Sequence, residues 1–340
     1  MQSNVASPFI QAPPGLAAEA PVPEPTRAWV DPLRAEIGRV VVGQRELVEG
    51  LLIALLSGGH VLLEGVPGLA KTLALKTLAR ALDGRFSRIQ FTPDMLPSDV
   101  VGTLIYDART GTFETKHGPI FANFVLADEI NRAPAKVQSA LLEAMQEQQV
   151  TLGETSHRLP QPFVVMATQN PLEQEGTYPL PEAQLDRFMF KLLVDYPKPE
   201  EEHEILLKMA STTPLLEVSR VVSLDAIQRS RRAVDQVYVD ARVTHYIVSI
   251  VDATRHPATY GLDLAPLIHY GASPRASIAL ALACKSRAYL NDRTYVTPQD
   301  VKALAHAVLR HRVAVSYEAE AQRVDTTRII DAVLEKLPIP

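Results

Sequence analysis

The residues whose types and spacing most clearly suggest chemistry form a glycine-containing loop that ends in a lysine and a threonine. Its sequence, Gly65-Val66-Pro67-Gly68-Leu69-Ala70-Lys71-Thr72, follows the apolar run 61–63 and precedes a helix-compatible stretch that begins at Leu73. Backbone N–H groups of such a loop, with the positive end of the following helix, form a cradle for phosphate oxygens. Lys71 would neutralise the β- and γ-phosphates and the Thr72 hydroxyl would bind Mg²⁺. The order strand, loop, helix therefore predicts a nucleoside triphosphate site.

One position of this loop departs from the common pattern G-x-x-x-x-G-K-[ST]. Ala70 stands where the second glycine is expected. Its methyl group would lie near the phosphates, so the loop by itself is a good match without being a decisive one.

Two adjacent acids end a second apolar run. An asparagine and four apolar residues, 123–127, lead directly into Asp128 and Glu129, which is typical of a buried parallel strand whose carboxyl end faces a ligand crevice. Asp128 would hold Mg²⁺ through water, and Glu129 would take the proton from an attacking water. The alternative is a strand followed by an acidic first helical turn. The phosphate loop upstream makes that the weaker interpretation.

Two later stretches also carry polar residues at the ends of predicted elements. Asn170 follows the apolar run 163–167, which places it beside the expected γ-phosphate. Residues 180–188 indicate a short helix that ends at Arg187 and leads into the apolar stretch 188–194.

With these features the chain resembles the AAA+ ATPases, and within them the MoxR family. The matching segments follow the family's order and span most of the chain after residue 30. They are residues 65–72, 90–99 (QFTPDMLPSD), 128–133 (DEINRA), 167–171 (ATQNP), 180–188 (LPEAQLDRF) and 273–276 (SPRA). Alanine at position 70 is itself what this family shows, so the departure supports the resemblance.

The resemblance implies a role for each matching residue. Lys71 and Thr72 would bind phosphate and Mg²⁺, Asp128 would support Mg²⁺, Glu129 would activate water, and Asn170 would orient that water. ATP and Mg²⁺ are therefore the expected ligands. The residues expected to contact the nucleotide, with Val42 and Gly43 near the adenine base, are Val42, Gly43, Gly65, Pro67, Gly68, Leu69, Ala70, Lys71, Thr72 and Leu73.

The resemblance implies roles for two arginines, and a third arginine follows the acidic pair. Arg187 would act on the site of the neighbouring subunit, and Arg275 would reach the γ-phosphate from the lid of its own chain. Arg132 follows the acidic pair and would also face the interface. A plain surface arginine is the rival interpretation of Arg275.

Composition bounds the class of protein. The chain has 340 residues with 46% apolar types, a net charge of -5 and a pI near 6.0, which gives no global attraction to nucleic acid or anionic membrane. The single cysteine, Cys284, excludes a disulfide framework. The most apolar stretch, residues 51–63, is interrupted by polar and glycine residues and is too short to span a bilayer. With no leader-like N-terminus, we expect a cytoplasmic protein.

The order of patterns predicts three regions. Residues 1–28, rich in proline and alanine, indicate a flexible tail. Residues 29–197 alternate helical patterns with apolar strands at 61–64, 87–91, 124–127, 163–167 and 188–194, which predicts an α/β domain with a parallel sheet. Residues 198–340 predict a small all-α lid, with helix starts at Ser273-Pro274 and Thr297-Pro298. The arginines at 229, 231 and 232 indicate a solvated helix face.

Two predicted hairpins interrupt the α/β pattern. Extended runs at 100–106 and 112–116 flank a turn-rich segment, and 149–152 and 157–159 flank another. They resemble the helix-2 insert and pre-sensor hairpins of the AAA+ branch that includes MoxR, where such hairpins face the ring's channel. Ordinary surface hairpins are the alternative.

The resemblance implies a ring, expected to be hexameric, that hydrolyses ATP to remodel or mature client protein complexes. Metal-cofactor insertion and a partner with a von Willebrand factor A domain are part of that expectation. A nucleic-acid motor is the main alternative, and the acidic composition counts against it. A nucleotide-gated scaffold with little turnover is another, against which Glu129 and Arg187 argue.

Overall fold

A parallel sheet of five strands forms the centre of the nucleotide domain in a computed structural model, which describes residues 27–66, 68–170, 177–212 and 217–340. The strands are β1 (Val61–Glu64), β2 (Phe86–Gln90), β5 (Phe124–Asp128), β8 (Val164–Gln169) and β9 (Phe190–Leu193). Their order is β2-β5-β8-β1-β9. Because β8 lies between β1 and β5, the carboxyl ends of these three strands meet at one edge. The predicted parallel sheet is confirmed.

Helices cover both faces of the sheet, and the strands are apolar on both sides. Leu62 and Val125 face one apolar cluster, whereas Leu63 and Leu126 face the other, as expected from the two-residue period of a strand. The helices of this domain are α1 (Val30–Val40), α2 (Arg45–Ser57), α3 (Lys71–Ala81), α4 (Pro97–Val101), α5 (Ala135–Glu147) and α6 (Glu182–Leu185).

Both predicted hairpins are present, with different bounds. The first pairs β3 (Gly102–Asp107) with β4 (Thr112–His117), and the second pairs β6 (Gln149–Leu152) with β7 (Thr155–Arg158). The predicted strand start at residue 100 was wrong. Residues 100 and 101 belong to α4, since a proline begins that helix and an aspartate at its third position caps the preceding N–H group.

The lid is helical, as predicted, and includes one short strand pair. The helices after residue 198 are α7 (Pro199–Met209), α8 (Leu224–Asp235), α9 (Ala241–Ala253), α10 (Pro274–Leu290), α11 (Pro298–Leu309), α12 (Tyr317–Ala321) and α13 (Thr326–Lys336). The strands β10 (Ile268–Tyr270) and β11 (Ala314–Val315) pair antiparallel, so two loops satisfy each other's backbone groups. Across the described ranges, we find no helix with the length and apolar composition needed to cross a bilayer.

The lid shares its apolar core with one face of the sheet. A single cluster of buried side chains extends from β1 through α2 to α10, and the buried Ser230 hydroxyl accepts hydrogen bonds from Trp29 Nε1 and Tyr289 Oη, each at 3.0 Å. The prediction of a solvated arginine face was wrong for Arg231. Its Nε donates to the Leu55 carbonyl at 2.8 Å, and burial lowers the pKa of its guanidinium to about 10.

Candidate functional site

The predicted phosphate loop connects the end of β1 to Lys71, the first residue of α3. A Cβ at Gly65 would overlap the Val194 carbonyl oxygen, so the close approach requires glycine. Gly68 and Ala70 have φ angles of 90° and 56°, in the left-handed region. For alanine this conformation costs about 1 kcal/mol. Ala70 therefore adopts a backbone conformation that favours the glycine expected there, and α3 begins immediately after it with N–H groups that lack helical partners. Pro67 lies outside the described residues.

These residues line a cavity of about 530 Å³ at the carboxyl edge of the sheet. Most predicted nucleotide-site residues meet there, namely Val42, Gly65, Gly68, Leu69, Ala70, Lys71, Thr72, Leu73, Asp128, Glu129 and Asn170. Gly43 does not. It lies in an adjacent surface cleft, where its φ of 82° favours glycine and an added Cβ would meet the Glu201 carboxylate.

A helix that the motif search did not assign to the site completes the cavity. Ile205, Lys208 and Met209 of α7 line it, together with Val40. The apolar side chains of Val40, Ile205 and Met209 suit the flat face of a nucleobase. In the sequence, α7 contains no phosphate-binding motif, so only its position in space identifies it as part of the site.

Lys71 is held by its own loop. Its Nζ donates to the Gly65 carbonyl at 2.7 Å. Burial lowers the pKa of the ammonium group, while Asp128 and Glu129 counteract that shift. A phosphate oxygen could replace the Gly65 carbonyl as the acceptor, because a lysine ammonium has three donors on a flexible stem.

Asp128 is held by two groups from neighbouring strands. Thr168 donates from Oγ1 to Asp128 Oδ1 at 2.6 Å. Arg88, on β2, donates to Oδ2 from Nη2 at 2.7 Å and from Nε at 3.1 Å. The prediction from sequence missed Arg88 and Thr168. The signal for Arg88 was its place on β2, the strand that pairs with β5.

Glu129 occupies a left-handed backbone conformation, with φ of 56°. Its N–H donates to Thr168 Oγ1 at 2.8 Å. Its Oε2 accepts a hydrogen bond from Gln90 Nε2 at 2.8 Å and forms an ion pair with Arg132, whose Nε lies 3.0 Å away. Arg132 thus contacts the catalytic candidate of its own chain, and Gln90, two residues after Arg88, is a further site residue that sequence reasoning missed.

The oxygen groups at this edge fit a hard cation. The hydroxyl of Thr72 and the carboxylate of Asp128 line the same cavity, and Mg²⁺ prefers such oxygen ligands combined with phosphate oxygens. The N–H groups at the start of α3 and the Lys71 ammonium suit the phosphates themselves.

Arg187 and Arg275 are not brought to this cavity. Arg187 Nη1 donates to the Leu142 carbonyl of α5 at 3.0 Å, beside a small surface cavity. Arg275, in the first turn of α10, is exposed, and its Nη1 lies 3.9 Å from Asp186 Oδ2. Arg275 therefore lies beside Asp186, the neighbour of Arg187 in the chain, and neither arginine lines the cavity of the phosphate loop.

Two family models match the chain. Residues 60–190 match the ATPase family associated with various cellular activities (AAA), and residues 263–333 match the AAA lid domain. The first match contains the phosphate loop, both acids, Asn170 and Arg187. The second contains Arg275.

Similar proteins have been named in several bacteria. Chaperone MoxR1 of Mycobacterium tuberculosis is 49% identical, covering 98% of this chain and 88% of the relative. Protein MoxR of Paracoccus denitrificans is 32% identical, with 90% and 95% covered. A solved structure from Cytophaga hutchinsonii, described as a candidate ATPase, has 50% identity and a TM-score of 0.88, with 92% and 96% covered. This chain therefore belongs to the MoxR family of AAA+ ATPases.

Proposed function

We propose that this chain hydrolyses ATP with Mg²⁺ at the interfaces between subunits of a homo-oligomeric ring, which we take to be a hexamer. The observation that carries the proposal is that Lys71, Asp128 and Glu129 share one cavity while Arg187 lies elsewhere on the same chain. An arginine that stabilises the transferring phosphoryl group must contact it directly. Arg187 would therefore serve the cavity of a neighbouring subunit.

Each side chain of the cavity has its own part in the proposed reaction. Lys71 would exchange the Gly65 carbonyl for phosphate oxygens. Thr72 and Asp128 would hold Mg²⁺, which when bound offsets the charge of the phosphates. Glu129 would accept the proton of the attacking water, and Asn170 would orient that water.

Arg275 has two possible routes to a nucleotide. Acting on its own chain, as the resemblance implies, would require the lid to carry it away from Asp186. Acting on the neighbouring subunit would place it with Arg187. Combining Arg275→Ala with Lys71→Ala in mixed rings distinguishes the routes, since only the second route lets the two variants complement each other.

We further propose that ATP hydrolysis drives the remodelling of a protein client. The first hairpin exposes Ile105, Tyr106 and Phe113 to solvent, and exposed apolar side chains suit a polypeptide client. The name of the M. tuberculosis relative, a chaperone, supports this role. Maturation of a metal-containing complex, a von Willebrand factor A domain partner and a cytoplasmic location complete the proposal.

Mixed rings test the interface mechanism. Arg187→Ala and Lys71→Ala should each be inactive alone, with the arginine worth roughly 10³-fold in rate. When the variants are co-assembled, some interfaces pair an intact cavity with an intact arginine. ATPase activity, measured as phosphate release, should return at those interfaces.

The control is Arg328→Ala, which removes an exposed arginine of α13 and should leave turnover unchanged. Verified co-assembly without any recovery of activity would contradict an action of Arg187 across the interface.

A further inference from the structure

A buried arginine of the lid contacts the backbone on both sides of Arg187. Arg312, which follows α11, is only 7% exposed. Its Nη2 donates to the carbonyl of Asp186 at 3.1 Å and to that of Phe188 at 2.6 Å, and its Nε donates to Asp186 Oδ1 at 2.7 Å. The two residues that flank Arg187 are therefore bound by one guanidinium.

The same guanidinium also fixes the start of β9. Arg312 Nη1 donates to the carbonyl of Met189 at 3.1 Å and to that of Val308 in the preceding helix α11. Burial lowers the pKa of Arg312, and the Asp186 carboxylate opposes that shift. Five acceptors from two domains thus surround a single side chain.

The lid holds the second oxygen of the Asp186 carboxylate as well. Ser273, which caps α10, donates from Oγ to Asp186 Oδ2 at 3.0 Å. On the other side, the nucleotide domain holds the Arg187 side chain through the Leu142 carbonyl, and Phe188 is fully buried in its core. Contacts from both the lid and the nucleotide domain therefore constrain the position of Arg187.

We propose that Arg312 is a positioning residue that presets Arg187, through Asp186 and the adjacent carbonyls, for the site of the neighbouring subunit. The inference rests on the proposed function, because it requires Arg187 to act across an interface. A guanidinium presents five donors in a rigid plane, whereas a lysine ammonium is a point donor. Lysine at position 312 would keep the charge and lose most of the fixed geometry.

Arg312→Lys should lower kcat by about 10- to 100-fold, because a displacement of roughly 1 Å in a catalytic group can cost about 10²-fold. The affinity of the variant's own cavity for a fluorescent ATP analogue should stay within about twofold, since no Arg312 contact reaches that cavity. Asp186→Asn is the second variant, and it should also lose kcat while its affinity for the ATP analogue is unchanged. Thermal melting reports whether each variant is folded.

Arg293→Lys is the matched control. Arg293 also makes a two-point ion pair with a buried acid, Asp300, at 2.7 Å for each bond, but this pair lies within the lid. The control should show normal kcat at a comparable loss of thermal stability. Equal losses of kcat in both variants would overturn the proposal in favour of general destabilisation of the lid.

Mixed rings give the deciding result. Arg312→Lys combined with Lys71→Ala should recover ATPase activity, because the first keeps an intact cavity and the second keeps an intact, well-placed Arg187. Arg312→Lys combined with Arg187→Ala should not recover.

No recovery with Lys71→Ala would overturn the positioning role, provided the pair Arg187→Ala and Lys71→Ala does recover. If that reference pair also fails, the interface mechanism itself is wrong. Near wild-type kcat in Arg312→Lys would overturn the inference directly.

Discussion

Glu129 has an uncommon backbone conformation, and two neighbouring side chains contact its carboxylate. A left-handed conformation outside glycine is infrequent and costs of order 1–3 kcal/mol when it is strained. Here the hydrogen bond from its N–H to Thr168 stabilises it, and Gln90 and Arg132 both hold the carboxylate at Oε2. The Thr168 hydroxyl also donates to Asp128 Oδ1, so one side chain links the Asp128 carboxylate to the backbone of Glu129.

Glu129→Gln should retain ATP binding and lose turnover by roughly two to four orders of magnitude. The amide has the same shape, but it cannot take a proton from water at neutral pH. Phosphate release under saturating ATP measures the loss, and equilibrium binding of a fluorescent ATP analogue confirms that the cavity is intact.

Two comparisons sharpen that measurement. Glu335→Gln changes an exposed acid on α13 and should have no effect on turnover. Lys71→Ala should lose affinity itself, since a charge-assisted phosphate contact is removed. Hydrolysis near the wild-type rate in Glu129→Gln would refute the assignment of the base.

Local motifs predicted those site residues that are close to one another in the chain. Lys71 and Thr72 lie within one loop, and Asp128 and Glu129 end one strand. Arg88 reaches the site only because β2 pairs with β5. Arg312 binds carbonyls more than 120 positions away, and carbonyls carry no sequence signal. Such contacts can be identified only in the folded structure.

The hairpin of β3 and β4 is the most exposed apolar element of the nucleotide domain that we describe. Phe113 is 68% exposed, and its ring lies 5.3 Å from that of Tyr106 across the pair of strands. Neither ring contributes to a buried cluster, so replacing one of them removes no packing from the core.

Shortening the turn 107–111, or replacing Phe113 with alanine, should therefore uncouple client action and leave basal ATPase within about twofold, as for exposed substitutions. The proteins that co-purify with a Glu129→Gln ring should be lost when Phe113→Ala is added. Equal loss of basal ATPase would mean that the hairpin supports the nucleotide site instead.

The bounds of the strands show where local sequence patterns are sufficient to predict secondary structure. The predicted strands coincide with β1, β2, β5, β8 and β9 to within two residues. For the central strands β1, β5 and β8 the reason is that buried parallel strands appear as continuous apolar runs. Val100 and Val101 are β-branched and suggested a strand, yet Pro97 and Asp99 begin a helix there. Capping chemistry outweighed side-chain propensity at that point.

At the scale of the whole molecule, charge separates the two leading functions. With a net charge of -5, a remodeller of proteins should show ATPase activity that is insensitive to DNA and RNA at physiological salt. A nucleic-acid motor should be stimulated, and its affinity should fall steeply as salt displaces it from the phosphates. Titrating ATPase activity with single- and double-stranded DNA, and with RNA, at two salt concentrations provides the measurement. Strong, salt-sensitive stimulation by nucleic acid would contradict a protein client. The assignment of the nucleotide site would not change.

The shared core of sheet and lid limits how this protein can be divided. α2 packs its apolar side chains against α8 and α10, so a fragment ending near residue 197 would present that surface to water. Contiguous apolar patches of this kind promote aggregation. Truncation is therefore an unsuitable way to isolate the nucleotide domain, and the role of the lid is better studied by point substitution in the intact chain.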